Sequence, residues 1–194
     1  LRERFPHLAL ERCRVISFVT RHFEALPTRK VSPDFIFWGR ITRQKGLDHA
    51  LRIFAEVVKE QPGAQFWIIG PDDGFLQATQ QLSKSLGLTN NVFFLGPATL
   101  TGIAAHALKA SFYLQTSLCE GMAMSVVEAM QMGLVPIVTP VGEISAYCSH
   151  SVNALIVNSD RDVINNINDL VSSDEKYQSL RFNAIATWKG APLY

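Results

Sequence analysis

The sequence predicts an α/β domain: a doubly wound, Rossmann-like parallel sheet with helices on both faces. Three observations carry that expectation. Short apolar runs alternate with helical patterns along nearly the whole chain. The runs are continuously apolar, as strands covered on both faces must be. Glycine and proline punctuate most changes of period.

The strand candidates are RVISFV, DFIFWG, QFWIIG, NVFFLG, SFYLQT, VPIVTP and ALIVN, in that order. Between the second and third, Leu47, Ala50, Leu51, Phe54, Val57 and Val58 fall on one helical face, which Pro62 and Gly63 end. Further helices are expected over residues 75–86, stopped at Gly87, over 100–109, and over 123–132, stopped at Gly133. After ALIVN the pattern changes. Ser159 or Asp160 can cap a helix reaching Val171, and Asp174 can cap another reaching Trp188. Residues 31–194 are thus expected to form the domain with its closing helices. Residues 1–30, with Pro6, Pro27 and mixed charge, are expected to be an interdomain connector bearing one strand.

Composition narrows the function classes. The chain is 47% hydrophobic and 18% charged, a globular balance. A formal net charge of +1 gives no electrostatic footprint for nucleic acid, so any anion must be held by a few placed groups. Cys13, Cys119 and Cys148 are scattered, without CxxC or Cys/His spacing. That argues against zinc and a disulfide framework, and for reduced thiols in a cytoplasmic protein. The sequence shows no leader pattern and no apolar run near ~18 residues. It opens at LRERFPHLAL without methionine and is expected to be part of a longer protein.

Ligands of open α/β sheets sit beyond the carboxyl ends of the strands, so the loops after strands hold the candidates. GRITRQKGLDHA follows DFIFW. Gly39 and Gly46 let the backbone turn and approach a ligand, and Arg40, Arg43 and Lys45 supply positive charge. A phosphate cradle and a solvated basic loop both fit that spacing. The loop is no Walker A, and no GxGxxG is present.

CEGMAMSVVEAMQMG follows SFYLQT. The opening of its helix presents free amides and a partial charge of about +0.5 e, which suits a diphosphate. Gly121 and Ala123 keep the approach clear. Glu120 and Glu128 flank that opening, and carboxylates accept well from vicinal hydroxyls. On the residues alone, a dipole-favouring Glu120 and a solvent-facing Glu128 fit at least as well.

Read together and in order, GRITRQKGLD, FWIIGPDDG, NVFFLG, SLCEGMAMSVVEAMQMGLVPIVTPVG and NALIV resemble the group 1 family of retaining glycosyltransferases. That family has the GT-B fold, two facing Rossmann-like domains, and the likeness is to the C-terminal, donor-binding one. The resemblance implies roles for matching positions. Arg40 and Lys45 match the pair that grips the donor diphosphate and stabilises the leaving nucleotide. Glu120 matches the acid that contacts hydroxyls of the transferred sugar. The backbone N–H groups of Gly121, Met122, Ala123 and Met124 match those lining sugar and phosphate, while Gly39 is expected at the ligand from its place in the loop after DFIFW. Glu128 matches the acid on the ribose, and Leu95 the position where the backbone meets the base.

The implied reaction moves a sugar from a UDP-, GDP- or ADP-sugar to an acceptor hydroxyl, with the anomeric configuration kept. The resemblance implies neither cofactor nor metal. It implies an N-terminal acceptor-binding domain as partner, through which the full-length protein would contact the membrane peripherally. Cell-surface polysaccharide synthesis is the setting expected from family habit. This chain alone is expected to bind nucleotide weakly and not to turn over. The alternative is a catalytically inert nucleotide-binding or partner-binding module of the same fold. Two departures from the family stand out. Met122, Ala123 and Met124 replace a loop that often holds an aromatic residue or proline. Gly142, Glu143, Ile144, Ser145 and Ala146 replace a common Gly-Gly-x-Pro-Glu run. Asp72 and Asp73 read as a turn with a helix cap. Trp38 reads as core, and Cys119 as buried.

Overall fold

Apolar runs bounded by turn residues become short strands, and the stretches between them become helices. The computed structural model describes residues 19–193. The strand candidate RVISFV therefore lies outside the described residues, apart from Val19, which bridges to Leu193.

Six strands form: β1 (Phe35–Trp38), β2 (Phe66–Ile69), β3 (Val92–Gly96), β4 (Phe112–Gln115), β5 (Val135–Val138) and β6 (Leu155–Ile156). Each paired neighbour is parallel, and the order is β3-β2-β1-β4-β5-β6. All residues of β1, β2, β4 and β5 are buried, which is why those runs are apolar throughout. The edge strand β3 is only partly covered.

The helices are α1 (Leu47–Glu60), α2 (Leu76–Ser85), α3 (Leu100–Ala107), α4 (Met124–Met132), α5 (Ile144–Tyr147), α6 (Asp160–Ser172) and α7 (Asp174–Thr187). α1 packs on α2 and α6, while α4 packs on α7, so the sheet is covered on both faces. α1 buries the stripe expected of it, including Leu47, Leu51, Phe54 and Val57. Phe54 meets the sheet edge-on, with ring centroids 5.3 Å from Phe35 and 5.4 Å from Phe66. Phe112 stacks on Phe35 at 5.2 Å, joining β4 to the same cluster.

Some boundaries differ from expectation. Ser173, not Asp174, caps α7, by accepting from the Lys176 amide. Asp174 instead accepts from the Val31 amide at 2.8 Å. α5 was not foreseen, since a single turn leaves no periodicity to read. The segment entering β1 lies against α4 and α7: the Leu26 amide donates to Met132 O at 3.0 Å, and Arg181 donates to Leu26 O.

The strand order reverses between β1 and β4. Successive crossovers run left from β1 and right from β4, so their loops part and leave a crevice above the carboxyl ends. The two candidate loops follow these two strands.

Candidate functional site

The loop after β1 is stitched to the loop after β4. Gln44 Nε2 donates to the Cys119 carbonyl at 2.9 Å, and the Leu118 amide donates back to Gln44 O at 2.8 Å. Thr116 Oγ1 donates to Gly46 O at 2.6 Å. Only glycine fits there: Gly46 has φ 64°, and a Cβ would stand 1.9 Å from Thr116 O. The stitching fixes a short 3-10 turn, Arg43–Lys45, over the crevice.

Lys45 leaves that turn inward. Its Nζ lies 2.7 Å from Glu120 Oε1, and the two side chains are only 15% and 6% exposed. Ser117 Oγ at 2.6 Å and Gln115 Nε2 at 3.0 Å donate to the same oxygen. Among the described residues, no hydrogen bond reaches Glu120 Oε2.

A third loop, after β5, closes on the same place. The Glu143 amide donates to Gly121 O at 3.0 Å. Gly142, at φ 58°, passes so close that a Cβ would stand 2.1 Å from Glu120 O. Tyr147 Oη donates to Met122 O at 2.5 Å. α4 then opens at Met124, with Ala123 at φ 53° and no side chain capping the first turn. The Met124 and Ser125 amides have no acceptor among the described contacts, whereas the Val126 amide already donates to Ala123 O at 2.9 Å. No atom lies within 4 Å of where a Cβ on Gly121 would sit, so that position is open.

Glu128, inside α4, accepts from Trp38 Nε1 at 2.8 Å. Burial pushes its carboxyl above the ordinary range, while the indole hydrogen bond and the Arg21 charge pull it back. Trp38 is core, as expected, but its polar edge serves this glutamate.

Arg40 does not join Lys45. It turns to the rim and pairs with Asp73 at 2.8 Å, with both side chains well exposed, 66% and 49%. An exposed pair is worth about 0–1 kcal/mol, so it exchanges readily. Beside Arg40 lies a mostly apolar cavity of about 280 Å³, between Trp38 and Gly39 on one side and Ile69, Pro71 and Pro97 on the other. Leu95 flanks this region in a β-bulge. Ile68 pairs with Phe94 and Ile69 with Gly96, so Leu95 is skipped in the register. A larger cleft, about 500 Å³, lies between α6 and α7 around Asp169 and Lys176, and none of the expected residues line it.

Asp72 is a helix cap, as expected: its Oδ1 accepts from the amides of Gly74, Phe75 and Leu76. Cys119 is exposed, contrary to expectation, because the stitched loop presents it outward. Among the described residues, no cluster of His, Cys, Asp and Glu is arranged to hold a metal ion. Sequence reasoning missed Gln115, Ser117 and Tyr113. The available signal was Gln115 itself: a glutamine inside an apolar strand needs polar partners.

The family model for glycosyl transferases group 1 matches residues 18–187. The chain belongs to this family. Its curated relatives include an uncharacterised glycosyltransferase from Methanocaldococcus jannaschii, 37% identical over 102 residues, covering 52% of this chain and 24% of that protein. Another is the GDP-mannose:cellobiosyl-diphosphopolyprenol alpha-mannosyltransferase of Xanthomonas oryzae, 27% identical over 129 residues, or 65% of this chain and 33% of that protein. This chain thus spans between 24% and 40% of the first three curated relatives. Solved folds agree. The C-terminal domain of the group 1 protein LpcC from Francisella tularensis superposes with a TM-score of 0.76 at 19% identity, covering 89% of this chain and 97% of that one. TarM of S. aureus, solved with UDP among its ligands, gives 0.83 at 19% identity, covering 96% of this chain and 38% of that one. This member of the group 1 family therefore has the fold of the C-terminal GT-B domain.

Proposed function

We propose that this chain is the donor-binding domain of a retaining glycosyltransferase, which moves a sugar from a nucleotide diphosphate sugar to an acceptor hydroxyl. One observation carries the reading: Lys45 meets Glu120 at 2.7 Å across the β1/β4 crevice, beside the open first turn of α4. A cation, free amides and a carboxylate around one crevice suit a diphosphate joined to a polyol.

As the glycosidic bond breaks, negative charge grows on the departing diphosphate and positive charge on the sugar. Lys45 and the α4 amides stabilise the departing diphosphate electrostatically. Arg40 joins them by releasing Asp73. Glu120 holds sugar hydroxyls and Glu128 the ribose, while the base enters the apolar cavity beside Gly39 near the Leu95 bulge. The leaving group so held departs without a divalent cation. The glutamates position the donor and are not a glycosidase-like acid/base pair. Relatives named for a GDP-mannose donor and for an alpha-glucosyl product support a hexose as the transferred group. The acceptor is held by a second domain, and this chain alone binds without turnover. No helix of the described residues is long and apolar enough to cross a membrane. Membrane contact in the full-length protein is peripheral and belongs to the second domain.

Titration calorimetry with UDP, GDP and ADP tests this. At least one should bind, and Lys45→Ala should weaken it by about 1.5–3 kcal/mol, the worth of a charged hydrogen bond. Absence of binding by all three would favour an inert module of the same fold.

A further inference from the structure

Glu120 is held by two kinds of partner. Lys45 is partly exposed and sits on a loop, and in the reading above it is drawn to the donor diphosphate. Gln115 is fully buried at the end of β4 and has nowhere else to go. We propose that Gln115 is the positioning residue that keeps the Glu120 carboxylate aimed at the transferred sugar when Lys45 turns to the diphosphate. The inference rests on the donor-site reading.

The amide's orientation follows from its neighbours. Ionised Glu120 only accepts, so Gln115 must present Nε2 to it, at 3.0 Å. Its Oε1 then faces two hydroxyls, Tyr113 Oη at 2.7 Å and Ser125 Oγ at 3.0 Å. Both can donate, so the orientation is consistent on every side. Burial raises the Tyr113 hydroxyl well above its ordinary range, so it stays protonated and able to donate.

The placement also joins the two halves of the site. Ser125 lies in the first turn of α4, and Tyr113 Oη also lies 3.2 Å from Trp38 O. The Trp38 indole in turn holds Glu128. One buried glutamine thus ties the sugar-side carboxylate to the helix opening and to the residue that orients the second carboxylate. Ser117 Oγ supports Glu120 from its own loop but has no tie to α4 among the described contacts. A leucine or valine at position 115 would fill the strand equally well and leave Glu120 with Ser117 alone once Lys45 departs.

Two measurements on the full chain test this. The first needs no ligand: a denaturation double-mutant cycle over Gln115→Met and Glu120→Ala. Non-additivity is expected, and additive effects would overturn the inference whatever the chain binds. The second compares UDP with UDP-glucose, and GDP with GDP-mannose, by calorimetry. Gln115→Met should lower the affinity for the sugar form relative to its nucleotide by about tenfold, with the nucleotide itself held within about twofold. Glu120→Ala should lower the same ratio, and the double variant should lower it no further. An equal loss for nucleotide and nucleotide sugar would reduce Gln115 to a structural role and overturn the inference alone. If the unmodified chain binds none of the four, the donor-site reading falls and takes the inference with it. Should Gln115→Met fail to fold, the Gln115 side-chain amide resonances of the intact chain serve instead. They should be protected from exchange and lose that protection in Glu120→Ala. Unprotected amides in the intact chain would contradict the assigned bond.

Discussion

Trp38 donates its indole N–H to Glu128 Oε2 at 2.8 Å, joining the end of β1 to the middle of α4 across the switch point of the sheet. The contact orients the carboxylate and offsets part of its burial penalty. It also gives a strand residue that reads as plain core a second task.

Glu128 sets a pH dependence. Burial raises its folded carboxyl above the ordinary value, about 4.3 in an unfolded chain. Between the two values the folded state binds more protons than the unfolded one. Stability therefore falls as pH rises through that window, and the penalty is complete above it. Glu128→Gln removes the titrating group and keeps an acceptor for Trp38. Urea unfolding should show the variant gaining on the parent from pH 4 to pH 7. A difference that is flat across that range, or reversed, would contradict the assignment.

Asp73 holds Arg40 on the rim at 2.8 Å. A diphosphate and Asp73 therefore compete for one guanidinium. Asp73→Asn should leave nucleoside diphosphate affinity unchanged or raise it by up to about fivefold, the most an exposed pair is worth. Arg40→Ala should weaken it. Weaker binding in Asp73→Asn would mean that Asp73 serves the ligand directly.

The docking of the two loops depends on Gly46. Gly46 and Gly74 both have positive φ, 64° and 84°, but only Gly46 faces a backbone oxygen at 1.9 Å. Gly74→Ala should cost about 1 kcal/mol, the strain of a left-handed residue alone. Gly46→Ala should cost about 3 kcal/mol or more, because one loop must move. Thermal melts of the two variants compare them directly. Equal losses would show that the loops are not rigidly docked.

Much of the fold was legible because parallel strands buried on both faces write themselves as apolar runs. Phe66–Ile69 and Phe112–Gln115 are examples. α4 was legible from its left-handed stop at Gly133. α5 was not, since one turn of four residues carries no period. In the site, loop positions marked Lys45, Glu120 and Gly121. What pairs with what was not legible, because Arg40 to Asp73 and Trp38 to Glu128 are contacts between residues 33 and 90 positions apart. Gln115 was hidden by its strand: periodicity reports burial and says nothing of which polar groups share it.

In the proposed donor site, Lys45 and the opening of α4 share one diphosphate. A titration of the ¹⁵N-labelled chain with UDP, GDP or ADP, followed amide by amide, tests it most directly. The largest shifts are expected on Gly39, Lys45 and Gly46 together with Gly121, Met124 and Ser125. Shifts confined to the α6/α7 cleft around Asp169 and Lys176, or to only one of the two loops, would contradict it.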